Sequence, residues 1–182
     1  MTRVVSIEPF GRAELLDELR DGVPVYARAR LALQPADPDA LMPAQRYVLR
    51  PGVERILALR AALLDFGVDV FALDGGVWVR TADGRFPVIP PIVEETGTIR
   101  LIADGIHRVY AARSVGVPIT VVTVRGASEP YYAYPLADGW AGIRELDRLP
   151  QRFAKKAYRE DHDALFRDYN AVFPGVQATR GR

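Results

Sequence analysis

The chain contains no cysteine. That excludes disulfides, thiolate metal sites and thiol nucleophiles together. Histidine is nearly absent too, with only His107 and His162, which argues against a zinc site built on imidazoles. Lysine is as scarce: Lys155 and Lys156 are the only two among 24 basic residues. The rest are Arg, a bias that genome composition explains and that also suits planar recognition of carboxylates or phosphates. Net charge is only +1. Proteins held to DNA mainly through phosphates carry a basic excess, so DNA is not the favoured partner, although a local basic face stays open. No apolar run is long enough to span a membrane, and Met1-Thr2-Arg3-Val4-Val5 lacks the apolar stretch of a signal peptide. No membrane partner is expected, and the expected location is the cytoplasm.

What is present reads as a globular protein. Its 182 residues are 49% apolar and 26% charged, enough to bury one real core. Val4 to Ile7 has the pattern of a short strand. Arg12 to Asp21 reads as a helix with Leu15, Leu16 and Leu19 on one face. From Val25 to Leu33 apolar residues alternate with Tyr26, Arg28 and Arg30, as in a half-buried strand. Pro51 is expected to open a helix that runs to about Phe66 and is capped by Gly67. Its inner stripe is Ile56, Leu59, Leu63 and Phe66. Val68–Leu73 and Val77–Arg80 read as a hairpin around Asp74-Gly75-Gly76. Short strands are expected at Phe86–Ile89, Ile92–Glu95, Thr98–Ala103 and Ile119–Val124. Beyond residue 125 the texture changes. Tyr131, Tyr132, Tyr134 and Trp140 cluster there, either as packing or as stacking surfaces for a planar ligand. Helices are expected at about 141–146 and 160–172, and a frayed tail at 179–182.

The most informative segment is Asp104-Gly105-Ile106-His107-Arg108. A strand runs into it. A helix from Val109 to Val115 follows, stopped by Gly116 with Pro118 beyond. A helix N-terminus presents unpaired N–H groups and partial positive charge. Gly105 allows a tight turn and close approach of a ligand, and His107 and Arg108 add side-chain donors. The outline is an anion site, with phosphate the favoured anion. The alternative is an ordinary turn in which Asp104 caps the helix and Arg108 is solvated.

The stretch Pro90-Pro91-Ile92-Val93-Glu94-Glu95, the segment Leu101 to Arg108, Ala111-Ala112-Arg113 and Gly116-Val117-Pro118 together resemble the ParB/sulfiredoxin superfamily. The resemblance is good over 88–125 and looser over 41–125. It implies an α+β fold: a small mixed sheet with packed helices and a C-terminal helical arm. It implies three parts: an N-terminal strand–helix–strand extension over 1–36, a nucleotide-binding core over 37–126, and an arm over 127–182 that covers the site.

Within that superfamily, sulfiredoxin needs a cysteine where Ile106 stands, so its activity is closed to this chain. The DNA-segregation ParB clamp carries a Gly-Glu-Arg-Arg-type turn and a following helix-turn-helix. Here Ile106 and His107 replace the Glu and the first Arg, and the segment after 125 does not read as a helix-turn-helix. The closest motif is that of ParB-like kinases of free serine and similar hydroxyl compounds, whose turn is Asp-Gly-x-His-Arg. That resemblance implies ATP, ADP or another nucleotide with Mg²⁺. It implies catalytic roles for Asp104 and His107, phosphate binding at Gly105, Ile106, His107 and Arg108, and a small polar metabolite as acceptor. Phosphoryl transfer asks for positioned cations and a carboxylate near the attacking hydroxyl, and Asp104 could serve there or hold the metal.

One departure stands out. Those kinases place a catalytic Glu before the long helix, where this chain has Gln45 and Arg46; Glu54 is the nearest acid, inside the helix. Gln45 can orient a hydroxyl but cannot usefully take its proton. Glu94 and Glu95 alternate, so one of them can face the site. Trp140 and Arg167 complete the candidate substrate contacts. A non-catalytic nucleotide-sensing or DNA-associated regulator is the main rival reading. A nuclease would need Asp104 with Glu94 or Glu95 around a metal.

Overall fold

The computed structural model of the chain describes residues 3–151 and 154–176. Strand β1 (Val4–Gly11) leads directly into helix α1 (Arg12–Gly22). Glu14 in its first turn and Arg20 in its last complement the helix dipole, and Leu15 and Leu19 are its buried contacts. Strand β2 (Arg30–Ala36) follows, then β3 (Met42–Pro43), β4 (Tyr47–Leu49) and helix α2 (Arg50–Leu64). Next come β5 (Gly75–Thr81), β6 (Gly84–Val88), β7 (Ile92–Thr96), β8 (Ile99–Asp104), helix α3 (Ile106–Ser114) and β9 (Ile119–Arg125). A last short strand is β10 (Arg144–Leu146).

The main sheet has five strands in the order β2-β9-β7-β8-β3. It is mixed: β2/β9 and β7/β8 are antiparallel, β9/β7 and β8/β3 parallel. One face, with Val93, Ile102 and Val121, packs with Val53 and Leu63 of α2 and Val109 and Ala112 of α3. The other, with Ile92, Leu101, Ala103, Val122 and Val124, packs with Leu15 and Leu19 of α1 and with Tyr131, Leu165 and Tyr169 of the C-terminal arm. The fold is therefore α+β. A second sheet, β1-β5-β6, is antiparallel, and β4 pairs in parallel with β10. The first 36 residues supply strands to both larger sheets.

The helix punctuation agrees with the sequence. Pro51 lies in the first turn of α2. Gly67 N–H bonds Leu64 O and Val68 N–H bonds Leu63 O, which makes a Schellman motif. Gly116 and Val117 close α3 the same way on Arg113 and Ala112. Of the expected α2 stripe, Leu63 is buried, whereas Phe66 lies past the helix end and is exposed.

Four local expectations are corrected. The strand expected from Val25 starts at Arg30, because Pro24 opens a 3₁₀ turn over Pro24–Tyr26 that sends Tyr26 into the core. The hairpin turns at Ala82-Asp83, between β5 and β6, rather than at Asp74-Gly75-Gly76. Gly76 lies inside the sheet, where an added Cβ would meet the Phe10 ring at 2.0 Å. Its glycine serves the close approach of β1, not a turn. The helix expected at 141–146 is a 3₁₀ turn over Gly139–Gly142 followed by β10. The segment 160–172 is a run of turns, and among the described residues the arm has no α-helix. Asp168 accepts the N–H groups of Asn170 and Ala171, an alternative to the helical ladder. Residues 179–182 lie outside the described residues.

Candidate functional site

Gly105 makes the 104–108 turn. Its φ of 84° is left-handed, and an added Cβ would lie 2.8 Å from both Arg108 Nη2 and Pro91 Cβ. Glycine alone fits both the backbone and the space. The reason is Arg108, whose side chain folds back beneath the turn. Its Nη2 donates to Asp104 Oδ2 at 2.9 Å, and its Nη1 donates to the Ile89 carbonyl. Arg108 is buried and holds the turn from below. Asp104 does not cap α3; no side chain does. Burial pushes the Asp104 carboxyl up, while Arg108, Lys156 and Lys155 pull it down less.

His107 joins two helices. Its Nε2 accepts the Leu49 N–H at 3.0 Å, and Leu49 is the N-cap of α2. The imidazole also packs on Gly52, where a Cβ would lie 2.7 Å from its Cδ2. The N-termini of α2 and α3 thus meet at one ring. With Nε2 accepting, the proton of the neutral ring sits on Nδ1. Burial, then Lys155, Arg55 and Arg108, drives the His107 pKa down to about 4. The ring is neutral at physiological pH, and its Nδ1–H is a donor with no partner among the described residues.

The arm crosses this region. Lys156 pairs with Gln45 as an antiparallel bridge, and the Arg46 N–H donates to the Lys155 carbonyl at 2.9 Å. Lys156 turns inward. Its Nζ donates to the Tyr131 and Tyr132 hydroxyls at 2.5 and 2.6 Å, and Tyr131 donates onward to the Ala103 carbonyl at 2.7 Å. Burial, then the charge of Lys155, lowers the Lys156 pKa to about 7, against the pull of Asp104 and Glu94. Both lysines of the chain therefore act on Asp104. They were absent from the sequence candidates, although their rarity was a signal in plain view.

The remaining candidates lie in other settings. Gln45 is buried, and its amide donates to the Tyr47 carbonyl. Glu94 is buried on the arm side of the sheet. It accepts Arg167 Nε and Nη2 at 3.0 and 3.2 Å and the Tyr26 hydroxyl at 2.7 Å. Arg167 also donates to the carbonyls of Leu165 and Glu129. Glu95 is on the opposite face, as alternation requires, paired with Arg100 and Arg125. Trp140 sits against Tyr110 and Arg113 of α3, donating to the Pro38 carbonyl. The structure thus gathers Asp104, Gly105, His107 and Arg108 with the arm lysines, sets the Glu94–Arg167 pair next to Lys156 across Tyr131, and leaves Trp140 and Glu95 elsewhere. Glu54 is exposed, lining a groove of about 830 Å³ between α2 and the β5–β6 hairpin.

Among the described residues, no three His, Cys, Asp or Glu side chains converge as a metal cage. Asp104 is the carboxylate of the turn, and its Oδ2 is engaged by Arg108 Nη2. No helix among the described residues is long and apolar enough to cross a membrane.

The family model of the ParB CE domain matches residues 8–144. The chain belongs to this family. No curated protein and no solved structure matches it. The ParB CE match includes the 104–108 turn and stops short of Lys155, Lys156 and Arg167.

Proposed function

We propose that this ParB-like chain binds the phosphates of a nucleotide (ATP, ADP or another, with Mg²⁺) at the 104–108 turn, and transfers a phosphoryl group to a hydroxyl of a small polar metabolite. One observation carries the reading: the N-termini of α2 and α3 meet at His107, and the charges that act on that ring, from Lys155, Arg55 and Arg108, are all positive. Two helix dipoles and a group of cations around a neutral ring make a place for an anion. The backbone N–H groups of Ile106 and His107 and the His107 Nδ1–H would donate to phosphate oxygens. With its pKa lowered to about 4, His107 would serve as a neutral donor rather than as a proton shuttle. Asp104, its pKa raised by burial, would receive the proton of an attacking hydroxyl. Arg108 would act by holding the turn and Asp104.

The test is product formation from ATP and Mg²⁺ with a panel of hydroxyl-bearing metabolites. Asp104→Asn should keep nucleotide binding and lose turnover. Turnover retained in that variant would remove Asp104 from the chemistry.

A second reading has an observation of its own. The buried Gln45 amide is engaged by the Tyr47 carbonyl at the place where the kinases carry a catalytic acid. Under this reading the chain binds nucleotide without turnover, as a sensing or DNA-associated regulator. Nucleotide binding with no product from any acceptor, together with salt-dependent duplex binding, would favour it.

A further inference from the structure

We infer that Lys155 is the side chain that carries the charge contact to the bound phosphates. The inference rests on the nucleotide reading of the turn and names the residue that reading lacks. The motif points to Arg108 as the phosphate cation, but its guanidinium is engaged by Asp104 and by the Ile89 carbonyl, and only 8% of the residue is exposed. A buried, internally paired guanidinium is poorly placed to meet a ligand without dismantling the turn. Lys156 is engaged as well, by two tyrosine hydroxyls. Lys155 differs from both. Its main chain is fixed by the Arg46 N–H, and the neighbouring Lys156 is bridged to Gln45. Its ammonium has no hydrogen-bond or ion-pair partner among the described residues. It is half-buried, and its charge acts on Asp104, His107 and Lys156.

Holding an unpartnered ammonium beside a second lysine costs free energy through like-charge repulsion and partial desolvation. A phosphate bound there would relieve both. The chemistry of the side chain suits this. Lysine is a compact point charge with three rotatable donors, able to follow a flexible phosphate chain. In a chain whose other basic residues are all Arg, both lysines stand at this one place.

The experiment is calorimetric titration of the full chain with two probes, ATP with Mg²⁺ and inorganic tripolyphosphate. The variants are Lys155→Met, Lys155→Arg, and the surface control Arg20→Ala. Lys155→Met is expected to weaken both probes at least about tenfold, because a charge-assisted contact is lost. Lys155→Arg, which keeps the charge, should stay within about threefold of the parent chain. Arg20→Ala should bind like the parent, and Lys155→Met should unfold at the same temperature or slightly higher. A second readout separates contact from scaffolding. Burial lowers the Lys155 pKa in the free protein, and an anion would raise it again. Binding at alkaline pH should therefore take up protons in the parent chain and fewer in Lys155→Met.

If Lys155→Met binds both probes like the parent, the inference falls and the nucleotide site stands. If the parent binds tripolyphosphate in a Lys155-dependent way but no nucleotide, Lys155 stands and the nucleotide reading falls. Binding of neither probe to the parent overturns both.

Discussion

The two most buried arginine–carboxylate pairs on or beside the main sheet are built to different ends. Arg167 meets Glu94 under the arm, with side chains 0% and 6% exposed. The groups around that pair are bonded: Tyr26 donates to Glu94, its hydroxyl also meets that of Tyr169, and Arg167 Nη1 and Nη2 donate to two carbonyls. Arg108 meets Asp104 at the turn, four residues apart, with side chains 10% and 13% exposed. That pair borders the His107 ring, the Lys155 ammonium and the N-terminus of α3, whose donors have no partner among the described residues. A sealed pair fastens the arm to the core. The pair at the turn lies where the phosphate site is proposed. Chemistry as similar as Arg with carboxylate therefore stands in two different surroundings, one closed and one open.

Breaking the sealed pair should have the largest effect on stability. Arg167→Ala leaves Glu94 buried without its cation and should cost about 3–5 kcal/mol, read as a lower midpoint in urea unfolding. The change should also loosen the arm, so protease sensitivity between residues 127 and 176 should rise first.

Breaking the turn should cost less. Gly105→Ala puts a Cβ against Arg108 and Pro91 at a left-handed backbone position. The expected loss is about 1–3 kcal/mol in thermal or urea unfolding, with nucleotide binding lost alongside it. A variant as stable as the parent that still binds would show that the turn tolerates a shape the structure does not contain.

The arm's lysine sharpens the comparison through pH. In the folded chain Lys156 has its pKa lowered to about 7 from the usual 10.5. Between those values the unfolded chain holds a proton that the folded chain lacks, so stability rises with pH across that window. Tyr26, Tyr131 and Tyr169 act in the opposite direction. Burial holds their pKa values well above the usual 10.0, so stability falls once pH passes that value. His107, folded at about 4 against 6.5, adds a loss as pH falls through that lower window. The unfolding temperature should climb from neutral pH and turn over near 10. Lys156→Met should flatten the climb and leave the acid limb in place. A climb unchanged in Lys156→Met would remove that lysine from the account.

The smallest stability effect is expected at Lys155, where the functional effect is large. That inversion is the sharpest form of the contrast with Arg167.

The end of α3 was legible in the sequence because its signals are local, whereas the helix starts at Ile106, three residues before the expected Val109. Gly105 answers to its own φ, Gly116 and Gly67 and the residues after them close helices through bonds three and five residues back, and Pro51 presets a first turn. Strand β9 was legible too, since its β-branched run Ile119 to Val124 is nearly continuous and buried. Where the cause lay far along the chain, the reading failed. Asp74-Gly75-Gly76 looks like a turn, but Gly76 answers to Phe10, a residue on another strand. The arm's turns answer to Glu94 and Tyr26, and its helical pattern lost to those buried bonds. Arg108 was singled out as a phosphate donor, but its side chain turns to Asp104 and the Ile89 carbonyl, a direction the motif does not encode. The two lysines were visible as the only two. Their destination was not, because it depends on a bridge between Gln45 and Lys156 across more than a hundred residues.

The central claim is that the 104–108 turn is a nucleotide phosphate site. Calorimetric titration with ATP, ADP and CTP, each with Mg²⁺, tests it most directly. Saturable one-to-one binding of at least one of them, lost in Gly105→Ala, is the predicted result. No heat from any of the three, with the chain shown to be folded under the same conditions, would contradict it and leave the turn as structure alone.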